Sequence, residues 1–357
     1  MDQNKNTQKL VDLLLLAYKQ GASDLHLAVN KKPLVRVDGS LLNINDYTEI
    51  SIDEMSDFVA ALLTDKQEKT LLEKREIDFS FSLEKKIRFR ANIFYQQGLL
   101  SCAFRLIPFN VLGIDELMLP SVLHRFSKMT QGFVLFVGPA GQGKSTSLAA
   151  IIDEINHNRC DHIVTIEDPI EYIFESDKSL ISQREVGMDT GSFHSGLKTA
   201  LRQDPDVLMI GEMRDKTSVE IALKAAETGH LVISTLHTNS ASQTINRIID
   251  FFPAEQQNQI RSQLAMNLSG IVSQRLIPKI NGGRIPACEV MFANSAISNL
   301  IRTNKVYQID MVIETSVKEG MMSMNRSLVD LVQRKEISIE NALNYSYNPN
   351  ELKSLLK

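Results

Sequence analysis

Phe133-Val134-Leu135-Phe136-Val137-Gly138-Pro139-Ala140-Gly141-Gln142-Gly143-Lys144-Ser145-Thr146 is the stretch on which the fold turns. The five apolar residues predict a buried strand. Gly138 to Ser145 fit GxxxxGK[ST] at every constrained position. Leu148, Ile151, Ile152 and Ile155 then recur at the spacing of one helix face. Gly138, Gly141 and Gly143 let the backbone wrap so that its N–H groups point at phosphate oxygens. The helix N-terminus adds about half a positive charge. In such a unit Lys144 reaches the β and γ phosphates and Ser145 ligates Mg²⁺. The candidate nucleotide-binding residues are therefore Gly138, Pro139, Ala140, Gly141, Gln142, Gly143, Lys144 and Ser145.

Downstream, apolar runs at Ile163–Ile166, Val207–Ile210 and Leu231–Ser234 alternate with helical patterns, the signature of an α/β domain with a parallel, helix-covered sheet. One helix is read from a capping box at Thr217-Ser218-Val219-Glu220 to Gly229. Ligands of such sheets bind at the carboxyl ends of the strands. Glu212, just after Val207–Ile210, is placed to hold Mg²⁺ through water or to orient an attacking water. Asp206, at the amino end, reads as a solvated strand-start residue. Glu167, Asp168 and Glu171 crowd the end of the strand before them, around a turn stiffened by Pro169. Like charges this close near a phosphate are costly unless a metal or a water nucleophile uses them. His237 lies at the carboxyl end of the strand from Leu231, within reach of a γ-phosphate. His230, at its other end, reads equally as a helix cap.

The first ~20 residues read as a helix with Leu10, Leu13, Leu14 and Ala17 on one face, stopped by Gly21. Strands are expected over 24–45, with Asp38-Gly39 as a hairpin turn. A helix over 52–63 opens on the capping box Ser51/Glu54. From 78 to 106 the period becomes two, with Ile87, Phe89, Ala91 and Ile93 on one side and Lys86, Arg88 and Arg90 on the other. Arg105 on the next strand extends that basic face. It could touch a nucleic-acid backbone, deliver charge in trans to a phosphate, or simply be solvated; aromatics for base stacking are missing from it. The expected organisation is an N-terminal domain over 1–108, a linker over 109–120, an ATPase core over 121–293 and a helical C-terminal region over 294–357.

At 357 residues the chain is long enough for about two domains. With 43% hydrophobic and 23% charged residues it is neither disordered nor fibrous. A net charge of −4 gives no global field for nucleic acid. Cys102, Cys160 and Cys288 lie too far apart for a thiolate zinc site or a disulfide framework. No signal peptide and no ~20-residue apolar run is read, so a cytoplasmic protein is expected.

GPAGQGKST at 138–146, TIEDPIEY at 165–172, LRQDPDVLMIGEMRD at 201–215 and AAETGHLVISTLHTNSA at 225–241 together resemble the secretion and type IV pilus ATPases, most of all their pilus-retraction branch. GASDLHLAVNKKPLVRVDGSL at 21–41 and RFRANIFYQQ at 88–97 extend the resemblance over nearly the whole chain. It implies an N-terminal PAS-like domain, a RecA-like P-loop ATPase domain, and a hexameric homo-oligomeric ring at the inner face of the cytoplasmic membrane. It adds Thr146 to the nucleotide loop, ATP as substrate, Glu171 as general base, Glu212 as a catalytic and Mg²⁺-supporting carboxylate, and His230 and His237 as a histidine box. Arg88, Arg90 and Arg105 become its in-trans arginines. It also implies an inner-membrane platform protein and a paralogous pilus ATPase as partners; the net charge argues for no nucleic acid, and with no anchor visible, membrane contact is expected to be only peripheral.

Two positions depart from the family pattern. The nucleotide loop reads PAGQG where PTGSG is usual, and Ser298 replaces the arginine of a C-terminal Ala-Ile-Arg motif tied to retraction. The alternatives are a pilus-extension or type II secretion ATPase, an accessory pilus ATPase, and a DNA-translocating RecA-like motor.

Overall fold

The computed structural model describes residues 2–37, 39–83, 87–107 and 111–356. The chain divides into two compact units, Met1–Asn110 with Glu171–Ile173, and Val111–Ile170 with Phe174–Lys357. In the first, helix α1 (Asp2–Lys19) is followed by β1 (Asp24–Ala28), β2 (Leu34–Val37) and β3 (Ser40–Asn43). Then come α2 (Ile52–Leu62), α3 (Asp65–Lys74), β4 (Glu76–Leu83), β5 (Ile87–Gln96) and β6 (Leu99–Ile107). The six strands form one sheet in the order β3-β2-β1-β6-β5-β4, with antiparallel pairing throughout. Leu10, Leu13, Leu14 and Ala17 are buried with Phe58, Phe89 and Phe104, so the helical and strand periods read from sequence meet in one core. Ser51 and Glu54 form the expected capping box. Helix α3 has no counterpart among the expected elements, because its polar surface hides its single buried residue, Leu71. Asp38, Lys86 and Pro108 lie outside the described residues.

The second unit begins with a short helix α4 (His124–Ser127), β7 (Gly132–Val137), α5 (Lys144–Asn158), β8 (His162–Glu167) and β9 (Leu180–Glu185). It continues through α6 (Phe193–Ala200), β10 (Val207–Ile210), α7 (Lys216–Glu227), β11 (Leu231–Leu236), α8 (Ala241–Asp250) and α9 (Ala254–Asn267). Seven strands pair in the order β13-β12-β7-β11-β10-β8-β9, where β12 is Leu268–Pro278 and β13 is Arg284–Phe292. All pairs are parallel except β12 with β13. Every residue of β7, β10 and β11 is buried, as parallel strands covered on both faces must be. The C-terminal region is helical: α10 (Ser295–Arg302), α11 (Ile309–Thr315), α12 (Met324–Gln333), α13 (Ile339–Tyr345) and α14 (Pro349–Leu355). Met324, Leu328, Leu331, Ala342 and Leu352 pack it onto Ile277, Ile285 and Ala287 of the β12–β13 hairpin. On α10, Ile297 and Ile301 face inward and Ser298 is half-buried.

Helix α7 starts earlier than its sequence suggests. Asp215 is the cap, its carboxylate accepting the Ser218 amide at 2.8 Å, while Glu220 pairs with Lys216 at 3.4 Å. A carboxylate is a stronger acceptor at a helix N-terminus than the Thr217 hydroxyl read as the cap.

Strand β13 also buries a carboxyl group, Glu289, which accepts the Ala241 amide at the start of α8 at 2.8 Å. Burial, reinforced by the nearby Asp310 and Glu314 carboxylates, pushes it up to about 7. The folded protein therefore holds a proton there that the unfolded chain releases near its ordinary value of 4.5. The associated stability is present below pH ~4.5 and lost as pH rises through ~7, by on the order of 3 kcal/mol. Glu289→Gln keeps an acceptor for Ala241 and removes the titration. Its melting temperature is expected to exceed wild type by several degrees at pH 8 and to match it near pH 5. Melting curves across that range check this; a difference that does not grow with pH refutes it.

Candidate active site

Four adjacent strands, β7, β11, β10 and β8, run parallel and end at one edge of the sheet. Neighbouring strands are about 4.8 Å apart, so groups carried by their carboxyl ends are neighbours by construction. These ends deliver the glycine loop, His237, Glu212 and Glu167 in that order.

Between β7 and α5 the loop takes turns that only glycine allows at two points. Gly138 has φ +145°, and a Cβ there would lie 2.4 Å from the Gln274 carbonyl oxygen. Gly143, at φ +78°, ends the loop where α5 begins, against the Gln274 side chain. Lys144 is buried, and its Nζ donates to the carbonyls of Gly138 at 2.8 Å and Pro139 at 2.9 Å. The same Nζ lies 3.4 Å from His237 Nδ1. Ser145 and Thr146 follow in the first turn of α5, both half-buried.

His237 Nε2 is 3.2 Å from Glu212 Oε1, and the other oxygen of Glu212 accepts from Arg214 Nε at 3.0 Å. Arg214 also approaches Asp168, at 3.8 Å. Thus Lys144, His237, Glu212 and Arg214 form one continuous chain of polar contacts drawn from the separate sequence boxes. The His237 side chain is 48% exposed, so it faces outward from this chain where a ligand can reach it. Thr235 fixes the tip of β10 against β11, donating to the Gly211 carbonyl at 2.7 Å and accepting the Met213 amide.

Four other expected positions make contacts or hold places of their own. His230 lies at the amino end of β11, where Nδ1 meets the Ala225 carbonyl at 2.9 Å and caps α7. It stands seven positions from His237, about 23 Å at the usual strand rise, and the structure does not bring it to Lys144. Glu167 is buried at the tip of β8, accepting from Thr165 at 2.6 Å and Gln183 at 3.2 Å. Glu171 follows the Asp168–Pro169 cis turn, is exposed, and belongs to the first compact unit. Asp206 accepts the His162 amide at 2.8 Å, a strand-start role.

In the first unit the basic face is a charge ladder. Asp24 on β1 stands in register between Arg36 on β2 and Arg105 on β6, and Arg105 in turn stands opposite Arg90 on β5. Arg105 Nε donates to Asp24 at 3.0 Å, and Arg90 is 3.9 Å from Asp78. Arg88 is half-buried on β5. The strongly basic face expected from the alternation is thus partly neutralised, because the acidic partners come from other strands.

Several residues of the site carry no local sequence signal. Gln274 of β12 is buried; its amide donates to the Gln142 carbonyl at 2.8 Å and its oxygen accepts from Ser147 at 2.7 Å. The Gln142 side chain returns the contact by accepting the Leu276 amide at 2.7 Å. The glutamine that departs from the family pattern therefore pins the nucleotide loop to β12.

A family model described as type II/IV secretion system protein matches residues 2–351. The Pseudomonas aeruginosa protein named type IV pilus retractation ATPase PilT is 46% identical over 93% of this chain and 96% of its own length. A Neisseria gonorrhoeae twitching motility protein is 44% identical over 88% of this chain and 84% of its own. The crystal structure of the pilus retraction motor PilT with bound ADP superposes with a TM-score of 0.91 and 44% identity, covering 96% of this chain and 98% of that one. With its two α/β units, its strand-end glycine loop and identity along nearly its full length, the chain belongs to the type II/IV secretion system protein family, among relatives that include pilus retraction ATPases.

Proposed function

We propose that the chain powers type IV pilus retraction by hydrolysing ATP with Mg²⁺ as part of a homo-oligomeric ring. The chain is an ATPase, and nucleotide is its ligand. The observation that carries the reading is the contact chain from Lys144 through His237 to Glu212, which joins the phosphate-binding loop to two further strand ends. The retraction assignment rests on the relatives, whose names describe a retraction ATPase and a twitching motility protein.

The chemistry asked of these residues is attack of water on the γ-phosphorus, which breaks its bond to the β,γ-bridging oxygen and releases ADP and inorganic phosphate. Loop amides and Lys144 spread positive charge over the phosphates, and His237 stands beside Lys144 where the γ-phosphate would lie. Glu171 takes a proton from the attacking water. The in-trans charge comes from Arg88, Arg90 or Arg105 of a neighbouring subunit. Ser145 and Glu212 supply hard oxygen donors of the kind Mg²⁺ prefers. Among the described residues no group of three or more His, Cys, Asp or Glu gathers as a self-sufficient metal cage. Ser145 and Glu212 are the residues that would hold the cation, and its charge would offset that of the substrate phosphates. Among the described residues no helix is long and apolar enough to cross a membrane. The proposed location is the cytoplasmic face of the inner membrane, beside a platform protein.

The test is ATP turnover by the purified chain, with its molar mass measured by light scattering, beside Glu171→Gln. Turnover that travels with an oligomer and falls about 10²- to 10⁴-fold in the variant, with nucleotide still bound, is the expected result. Wild-type-like turnover in the variant removes Glu171 from the role of base; a monomer without turnover refutes the motor.

A further inference from the structure

The C-terminal region reaches the His237 loop through one side chain. Tyr347 lies between α13 and α14, and its hydroxyl donates to the carbonyl oxygen of Asn239, two residues beyond His237. The same carbonyl accepts from the fully buried Ser273 hydroxyl at 2.6 Å. Arg275 completes the clasp, with one nitrogen 3.1 Å from the Asn239 side-chain oxygen and Nε 3.3 Å from the Tyr347 hydroxyl. Its guanidinium also lies against the tyrosine ring, 5.2 Å from the centroid.

Alternation along a strand explains the geometry. Ser273 and Arg275 point to one side of β12 and grip the histidine loop, whereas Gln274 points to the other and grips the nucleotide loop. The loop is further held directly beside His237, where the Thr238 and Thr244 hydroxyls lie 2.7 Å apart. His237 is thus the exposed end of a segment fixed on both sides, and Tyr347 ties that segment to the C-terminal helices.

We propose that Tyr347 is a positioning residue for hydrolysis: by holding the Asn239 carbonyl it sets the His237 ring between Lys144 and Glu212, so that the placement of the C-terminal helices reaches the γ-phosphate site. The proposal rests on the chain's being an ATPase for its kinetic readout. It does not require Tyr347 to touch substrate.

Tyr347→Phe removes the hydroxyl and keeps the ring. The expected result is a kcat lowered about three- to tenfold, the fold-change of one hydrogen bond, with KM for ATP within about twofold. A merely structural contact would not depend on His237. In a cycle with His237→Ala, the double variant is therefore expected to have the kcat of His237→Ala alone. Arg275→Gln, which loses both of its clasp contacts, is expected to repeat the kcat-only loss. An effect of Tyr347→Phe that multiplies with that of His237→Ala, or no effect, overturns the proposal. Hydrogen exchange of the peptide spanning Leu236–Ala241 supplies a readout free of turnover. It is expected to quicken in Tyr347→Phe, and unchanged exchange overturns the proposal even if the chain proves to have no turnover, a result that would refute the ATPase reading instead.

Discussion

Lys144→Ala is expected to lower ATP turnover at least about 100-fold and to weaken nucleotide binding as well, a combination that sets it apart from the Glu171, Glu212 and Tyr347 variants. The ammonium is buried, and it bridges two carbonyls of its own loop to His237. In the proposed reading alanine removes the charge that would meet the β and γ phosphates, and it removes the contact with His237 that ties the loop to the end of β11. Both ground-state binding and transition-state stabilisation depend on that charge, so kcat falls and the dissociation constant rises together. Steady-state kinetics and titration with a fluorescent nucleotide measure the two separately. Turnover within a few-fold of wild type would refute the assignment of the loop. A melting temperature within a few degrees of wild type shows that the loss lies at the site.

Glu212→Gln is expected to behave differently: kcat lower by about 10²- to 10³-fold with nucleotide affinity nearly unchanged. In the proposed reading Glu212 acts through His237, which it meets at 3.2 Å, while the glycine loop would hold the phosphates. An amide of the same shape keeps one acceptor oxygen, turns the other into a donor, and offers no negative charge to hold both His237 and Arg214. The histidine then loses its fixed orientation beside Lys144. The same two measurements check this, and a kcat within threefold of wild type would exclude Glu212 from the reaction.

Much of this site is legible locally because each strand end carries its own signal. An apolar run followed by a glycine loop, a glutamate or a histidine reads the same in a string of letters as in a sheet. Parallel pairing then requires those ends to converge, which is why Lys144, Glu212 and His237 meet. His230 shows the limit of that logic: it flanks the same strand, but at the amino end, where α7 needs its last carbonyls capped. The hidden contacts are long-range. Gln274 and Arg275 lie on a strand whose mixed sequence, LSGIVSQRLIP, has neither a clean alternation nor a continuous apolar run. It becomes a strand because β7 and β13 offer partners on both sides. Asp24 neutralises Arg105 across 81 positions of chain, so the basic stripe of β5 and β6 can be read and its counter-charges cannot. The α7 cap is misplaced for a local reason, since Thr217-Ser218-Val219-Glu220 is itself a valid capping box and Asp215 simply outcompetes it.

The strand order has a consequence for how the molecule matures. Lys144 meets His237 across 93 positions of chain, and Gln142 waits for Leu276 across 134. Contacts so far apart form late, because loop-closure entropy must be met before they stabilise anything. During synthesis the nucleotide loop is made long before the strand that braces it, and its contacts with Gln274 and Leu276 form only once β12 is seated beside β7. A nucleotide that binds the folded chain and not the unfolded one draws the population toward the folded state by mass action, by about 2.7 kcal/mol when its concentration is a hundredfold above the dissociation constant. The nucleotide that the enzyme consumes is thus also a ligand that stabilises its fold.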